Sequence, residues 1–172
     1  MVLKEKEIVN DFLVKLQEWD WNRLEGIQTG RDKTDGAIYE SELFKQIRKI
    51  NPSLNDSYIM KGIEELLNSQ DHKIAFNYLR NGLKINIQGE SKQVNFIDFN
   101  NPQKNKFSYF PWLNIRSRHG KLLEPDLILF INYLPVVVFE FKGPSPSRNK
   151  LKGGSISTNK GLWNRITVSL PS

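Results

Sequence analysis

Cysteine is absent from all 172 residues. Disulfides, thiolate metal sites and cysteine nucleophiles are therefore excluded, and the absence suits a reducing, cytoplasmic setting. No apolar run approaches the roughly 20 residues that cross a bilayer. The first residues, MVLKEKEIVND, mix acids with bases where a secretory signal would be apolar. The expectation is a cytoplasmic protein with no membrane contact. Internal repeats are missing, and so is a P-loop: the GGS at 153–155 has neither its spacing nor its lysine. Acids are missing from Gly143 onward, where Arg148, Lys150, Lys152, Lys160 and Arg165 stand alone. Only +1 of the net +6 is left for residues 1–142. The basic balance thus belongs to the tail and is weak ground for a DNA-binding body.

What is present suffices for one domain. With 38% hydrophobic and 26% charged residues, a chain of this length buries a core without staples. In LKEKEIVNDFLVKLQEWDW the apolar residues Ile8, Val9, Phe12, Leu13, Leu16 and Trp19 recur every three or four positions, which predicts an amphipathic helix. Residues 26–37, GIQTGRDKTDGA, read as a loop. YESELFKQIRKI reads as a second helix ended by Pro52, and SLNDSYIMKGIEELLNSQ as a third behind an Asn/Asp cap. IAFNYLRNGL fits a strand or a short helix ending at Gly82. LKINI, VNFIDF and FSYFPWLNI read as strands, with Pro111 at a bulge or an edge. Helices followed by strands give an α/β fold in α+β order, with a mixed, mostly antiparallel sheet.

The stretch EPDLILFINYLPVVVFEFKG, residues 124–143, concentrates the chemistry. LILFI is uninterrupted apolar, as in a strand covered on both faces. In VVVFEFK strict alternation puts Val136, Val138, Glu140 and Lys142 on one face and Val137, Phe139 and Phe141 on the other. With a three-residue connection, Asn132 to Leu134, Asp126 faces Glu140 at roughly 5 Å between β carbons. A two- or four-residue connection reverses that parity unless a bulge restores it. Asn-Tyr is a poorer type I′ pair than Asn-Gly, which favours a connection longer than two residues. Paired carboxylates repel unless a cation joins them, and a hard divalent ion beside a lysine suits phosphodiester hydrolysis. Against this stands the ordinary reading, a solvated Glu-x-Lys strand end and a Pro-Asp turn.

Pro125-Asp126 followed by Glu140-x-Lys142 resembles the PD-(D/E)xK nuclease motif. The wider IDFNNPQKNKF … EPDLILFINYLPVVVFEFK is similar to the N-terminal domain of type I restriction enzyme R subunits, over roughly residues 1–144. The resemblance implies a restriction-endonuclease-like core over residues 1–143 and a metal-dependent DNA endonuclease activity. It also implies Mg²⁺ or Mn²⁺ on Asp126, Glu140 and the Phe141 carbonyl, with Lys142 as the catalytic lysine. The family's acid on an N-terminal helix falls on Glu5 or Glu7. A solvated first-turn acid is the alternative for both. Arg116, Arg118, His119 and Lys121 precede the motif and are either phosphate contacts or a solvated loop. Implied partners are double-stranded DNA and the methylation and specificity subunits, with ATP serving only motor domains absent from this chain.

Three departures qualify the resemblance. Glu124 stands where a basic residue usually precedes Pro-Asp, and Tyr133 where the family's turn has Gly. No Gln occurs beyond position 103, so the Gln-x-x-x-Tyr helix that often follows the lysine is missing. Residues 144–172 read instead as a loop-rich basic tail, with ITVSL as one further strand, and the chain reads as a fragment. Two other functions stay open: a catalytically silent nuclease-fold module that binds DNA or docks a subunit, and a stand-alone nuclease of the same fold.

Overall fold

The computed structural model describes residues 5–24, 39–116 and 120–141. The expected loop at 26–37 and the tail at 144–172 lie outside them. The three-and-four spacing of Val9, Phe12, Leu13 and Leu16 produces α1 (Glu5–Glu18), with Val9 and Leu16 buried. The helix stops in a Schellman arrangement. Asp20 takes a positive φ of 60°, the Trp21 N–H donates to the Leu16 carbonyl at 2.9 Å, and the Asp20 N–H donates to Gln17 at 3.1 Å. This corrects the place of Trp19 on the apolar stripe: the helix has ended, and Trp19 is 61% exposed. Trp21, turned inward by the left-handed residue before it, packs near Leu16 in its stead. The chain then enters β1 (Asn22–Arg23), parallel to β4 (Phe107–Pro111).

β1, β4, β7 (Leu127–Ile131) and β8 (Leu134–Phe139) form one mixed sheet in that order, and β4–β7 and β7–β8 are antiparallel. Its two faces meet different partners. Tyr109, Leu127 and Leu129 join Leu16 of α1 in one cluster, with Phe12, Leu13, Val137, Phe139 and Phe141 packed against it. Ile128, Phe130, Leu134 and Val138 point into the larger core, built with α2 (Glu40–Ile50), α3 (Asp56–Asn68) and α4 (His72–Asn81). LILFI is thus covered on both faces, as its unbroken apolar sequence predicts. Pro111 ends β4 two residues beyond the ladder with β1 (Asn22↔Ser108, Arg23↔Tyr109), so its missing N–H removes no bond to that strand.

IAFNYLRNG resolves as helix α4. The Asp71 side chain accepts from the Lys73 N–H at its start, and Gly82 (φ +73°) breaks it at its end. Asn55 holds the N-cap position of α3 without a side-chain capping bond. A separate hairpin pairs β2 (Leu83–Ile87) with β3 (Glu90–Val94). The expected VNFIDF strand is corrected, since only Val94 belongs to a strand. Asn51 draws the following residues out of any ladder: its amide accepts from the Asn95 N–H and donates to the Asn95 carbonyl. Phe96 is buried, and Asp98 organises a turn by accepting from the N–H groups of Asn100 and Asn101. FSYFPWLNI is likewise split. β4 stops at Pro111, and β5 (Ile115–Arg116) pairs with β6 (Leu122–Leu123) in its own small sheet. No helix among the described residues is long and apolar enough to cross a membrane.

Candidate active site

The β7–β8 connection is shorter than its sequence favours. Ile131 pairs with Leu134, which leaves a two-residue turn at Asn132 and Tyr133 with φ of 53° and 66°, both in the left-handed region that a type I′ turn demands. Distant residues hold this unfavourable pair. The buried Asn132 amide accepts from the Lys106 N–H (2.8 Å) and Gln46 (3.1 Å), and donates to the Phe96 carbonyl (2.8 Å) and Asn105 (2.9 Å). Tyr133 is buried under Lys106, whose ammonium lies 4.7 Å from the ring centre, and beside Tyr39.

Such a turn alone would put Asp126 out of step with Glu140, and a bulge corrects it. Phe130 pairs with Pro135 but Leu129 pairs with Val137, so Val136 is an extra residue on β8. Val136 therefore packs on the α1 side together with Val137, which corrects its expected place on the Val138 face. From Leu129↔Val137 to Leu127↔Phe139 the register is the one a three-residue connection would have given. Continued one step past the end of β8, that register would set Asp126 across from Glu140.

There the ladder is continued by a side chain. The Phe141 N–H donates to Asp126 Oδ2 at 2.6 Å, and Asp126 Oδ1 accepts no protein hydrogen bond among the described residues. Asp126 is half-buried and Glu140 is exposed. Asp126 also lines a cavity of about 340 Å³ with Lys6 and Val9 of α1, Trp112 and Glu124. The available donors, two carboxylates and the Phe141 carbonyl, are all oxygens, the set a hard cation such as Mg²⁺ takes. No group of three His, Cys, Asp or Glu suited to a metal occurs among the described residues.

Lys142, Arg118 and His119 lie outside the described residues. Arg116 is in β5 opposite Leu122, and Lys121 is exposed just before β6. Glu5 is the first residue of α1, and Glu7 is exposed on its first turn. Two cavity residues, Lys6 and Trp112, were not singled out from the sequence. Lys6 lies three residues before the buried Val9 and so on its side of α1, a spacing that placed it near the apolar stripe. Trp112 follows the strand-ending Pro111, a local sign that the pleat breaks there.

The family described as "Type I restriction enzyme R protein N terminus" matches residues 2–157. The type I restriction enzyme HindI endonuclease subunit of Haemophilus influenzae is 31% identical over 160 residues, covering 83% of this chain and 15% of that subunit. A putative type I restriction enzyme MjaIXP endonuclease subunit of Methanocaldococcus jannaschii is 32% identical over 130 residues, covering 69% of this chain and 12% of that protein. The chain thus spans about 15% or less of the length of these relatives. A helix-flanked mixed sheet, with an Asp and a Glu at the open end of its last hairpin, is the setting in which the match falls, and the chain belongs to the family of type I restriction enzyme R protein N termini.

Proposed function

We propose that this chain is the metal-dependent DNA-cleaving module of a type I restriction R subunit. In this reading Asp126, Glu140 and the Phe141 carbonyl hold Mg²⁺ or Mn²⁺, and Lys142 stabilises charge developing on the attacked phosphodiester. The observation that best supports it is the 2.6 Å bond from the Phe141 N–H to Asp126, at the end of a ladder whose bulge returns Asp126 to the level of Glu140. That bond occupies one carboxylate oxygen of a residue that also lines the cavity. A bound Mg²⁺ would polarise the phosphodiester and acidify a water. The protein's own part would be to present Asp126 and Glu140 to one shared cation.

By the same reading the substrate is double-stranded DNA, with Arg116, Arg118 and Lys121 as phosphate contacts. The partners are the methylation and specificity subunits, and ATP serves motor segments outside this chain. Residues 144–172 are a basic tail beyond the nuclease domain. Calorimetric titration of Mg²⁺ into the wild type and the Asp126→Ala, Glu140→Ala and Lys142→Ala variants tests the site. Nicking of supercoiled plasmid by the whole R subunit carrying the same changes tests the chemistry. The carboxylate variants should lose metal affinity and cleavage together, whereas Lys142→Ala should keep metal and lose cleavage. Undiminished metal binding in both carboxylate variants overturns the assignment. Metal binding without cleavage in the whole wild-type subunit would leave a silent module.

A further inference from the structure

Trp112 is a large side chain that the core does not use. It is half-buried, yet it belongs to neither hydrophobic cluster and pairs with no other ring among the described residues. Pro111 and Leu113 on either side of it are buried. Trp112 instead lines the cavity that Asp126 and Lys6 line. Its φ of +51° lies in the left-handed region, which bulky L-residues rarely occupy. The main chain is held there by Asp126, whose carbonyl accepts from the Trp112 N–H at 3.1 Å. One residue therefore supplies the candidate metal-binding carboxylate and anchors the aromatic beside it. Strain at a residue that adds nothing to the core points to a ligand.

We propose that Trp112 is a stacking platform for a nucleobase next to the phosphodiester held at Asp126, so that the site takes a strand with one base turned out of the stack. The inference rests on the nuclease reading above and adds the conformation of the substrate to it. An indole offers its face to any base, which gives affinity without sequence preference. Lys6 on the α1 side of the cavity supplies a cation for the phosphate that accompanies the base. Bases inside an intact duplex are already stacked, so the cleft favours single-stranded or locally melted DNA.

The test uses the full chain with Ca²⁺ present, which supplies a hard cation between Asp126 and the phosphate. Fluorescence anisotropy compares a labelled short oligothymidylate with an abasic oligomer of the same length, against wild type, Trp112→Phe and Trp112→Ala. Trp112→Ala should bind the thymidylate about tenfold more weakly, within the range known for loss of one aromatic–base stack. Trp112→Phe should stay within about threefold, because a smaller ring still stacks. The abasic oligomer should bind wild type and Trp112→Ala alike. Quenching of the wild-type tryptophan emission by thymidylate should largely vanish in Trp112→Phe, although three other tryptophans remain.

Equal affinity of the wild type for both oligomers overturns the proposal, and this comparison stands even where Trp112→Ala fails to fold. Quenching that persists in Trp112→Phe overturns it as well. The nuclease reading fails by a different measurement. Mg²⁺ affinity unchanged in Asp126→Ala would sink that reading and leave the stacking result standing.

Discussion

The Asp126 carboxylate accepts the Phe141 N–H at 2.6 Å, across the open end of the β7–β8 hairpin. One side chain thereby carries a structural bond and a candidate metal-binding charge, and two substitutions separate them. Asp126→Asn keeps an oxygen acceptor for Phe141 and removes the charge. Asp126→Ala removes both. Metal affinity should fall at least tenfold in each, since even outer partners of metal sites cost that much. Thermal unfolding should distinguish them, with Asp126→Ala less stable than Asp126→Asn by about 1 kcal/mol. Equal stabilities would mean that the Phe141 bond contributes nothing to the fold.

The turn at the other end of the hairpin is held by Asn132. Asn132→Ala leaves the buried Phe96 carbonyl and the Lys106 N–H without their partner and keeps the left-handed backbone. Each unsatisfied buried group costs roughly 1–3 kcal/mol, so a loss of about 3 kcal/mol or more is expected in urea unfolding. Tyr133→Phe removes only the hydroxyl that accepts from Lys106 and should cost under about 1 kcal/mol. The reverse order would show that the Lys106–Tyr133 hydroxyl bond, and not the amide network, fixes the turn.

The sequence carries part of this hairpin and hides the rest for a definable reason. LILFI reads as doubly covered because each of its residues is apolar, and Leu127 and Ile128 do enter different clusters. Val136, Val137 and Val138 are chemically identical, so nothing local says which one bulges. The choice is made by the α1 cluster, which takes Phe139 and Phe141. Tyr133 at positive φ defies local preference because its compensation comes from Lys106 and Tyr39, far along the chain. Trp19 continues the helical period but falls beyond a Schellman stop that Asp20 makes in place of the usual glycine. Asp126 and Glu140 are legible through a spacing, whereas Lys6 and Trp112 meet only when the fold brings α1 to the end of β4.

Two glycines at positive φ should respond differently to alanine. A β carbon at Gly82 would lie 2.6 Å from the Asn95 side-chain oxygen and 2.9 Å from the Val94 carbonyl, on top of a φ of +73°. At Gly89, φ +86°, it would meet nothing within 4 Å. Gly89→Ala should cost about 1 kcal/mol for strain alone, and Gly82→Ala about 2–4 kcal/mol, because backbone must also move. Chemical denaturation measures both. Equal losses would place the whole effect in φ and none in the contact between the α4 terminus and the end of β3.

Lys6 faces two opposing demands in the cavity it shares with Glu124 and Asp126. Its charge repels an incoming cation and attracts an incoming phosphate. If the cavity is where DNA and metal meet, Lys6→Ala should bind Mg²⁺ as well as wild type or slightly better, because a like charge has been removed. The same variant should bind DNA more weakly at low salt. Loss of one phosphate contact should also reduce the slope of log affinity against log salt by about 1. Screening within roughly 10 Å at 0.1 M salt confines the effect to a phosphate near Lys6, so at high salt the two proteins should converge. Lys6→Arg keeps the charge and should restore both slope and affinity. Anisotropy titrations across a salt series, paired with calorimetry for the metal, give the readouts. A variant that loses Mg²⁺ affinity while its salt slope is unchanged would assign Lys6 to holding the carboxylates in place and not to the DNA.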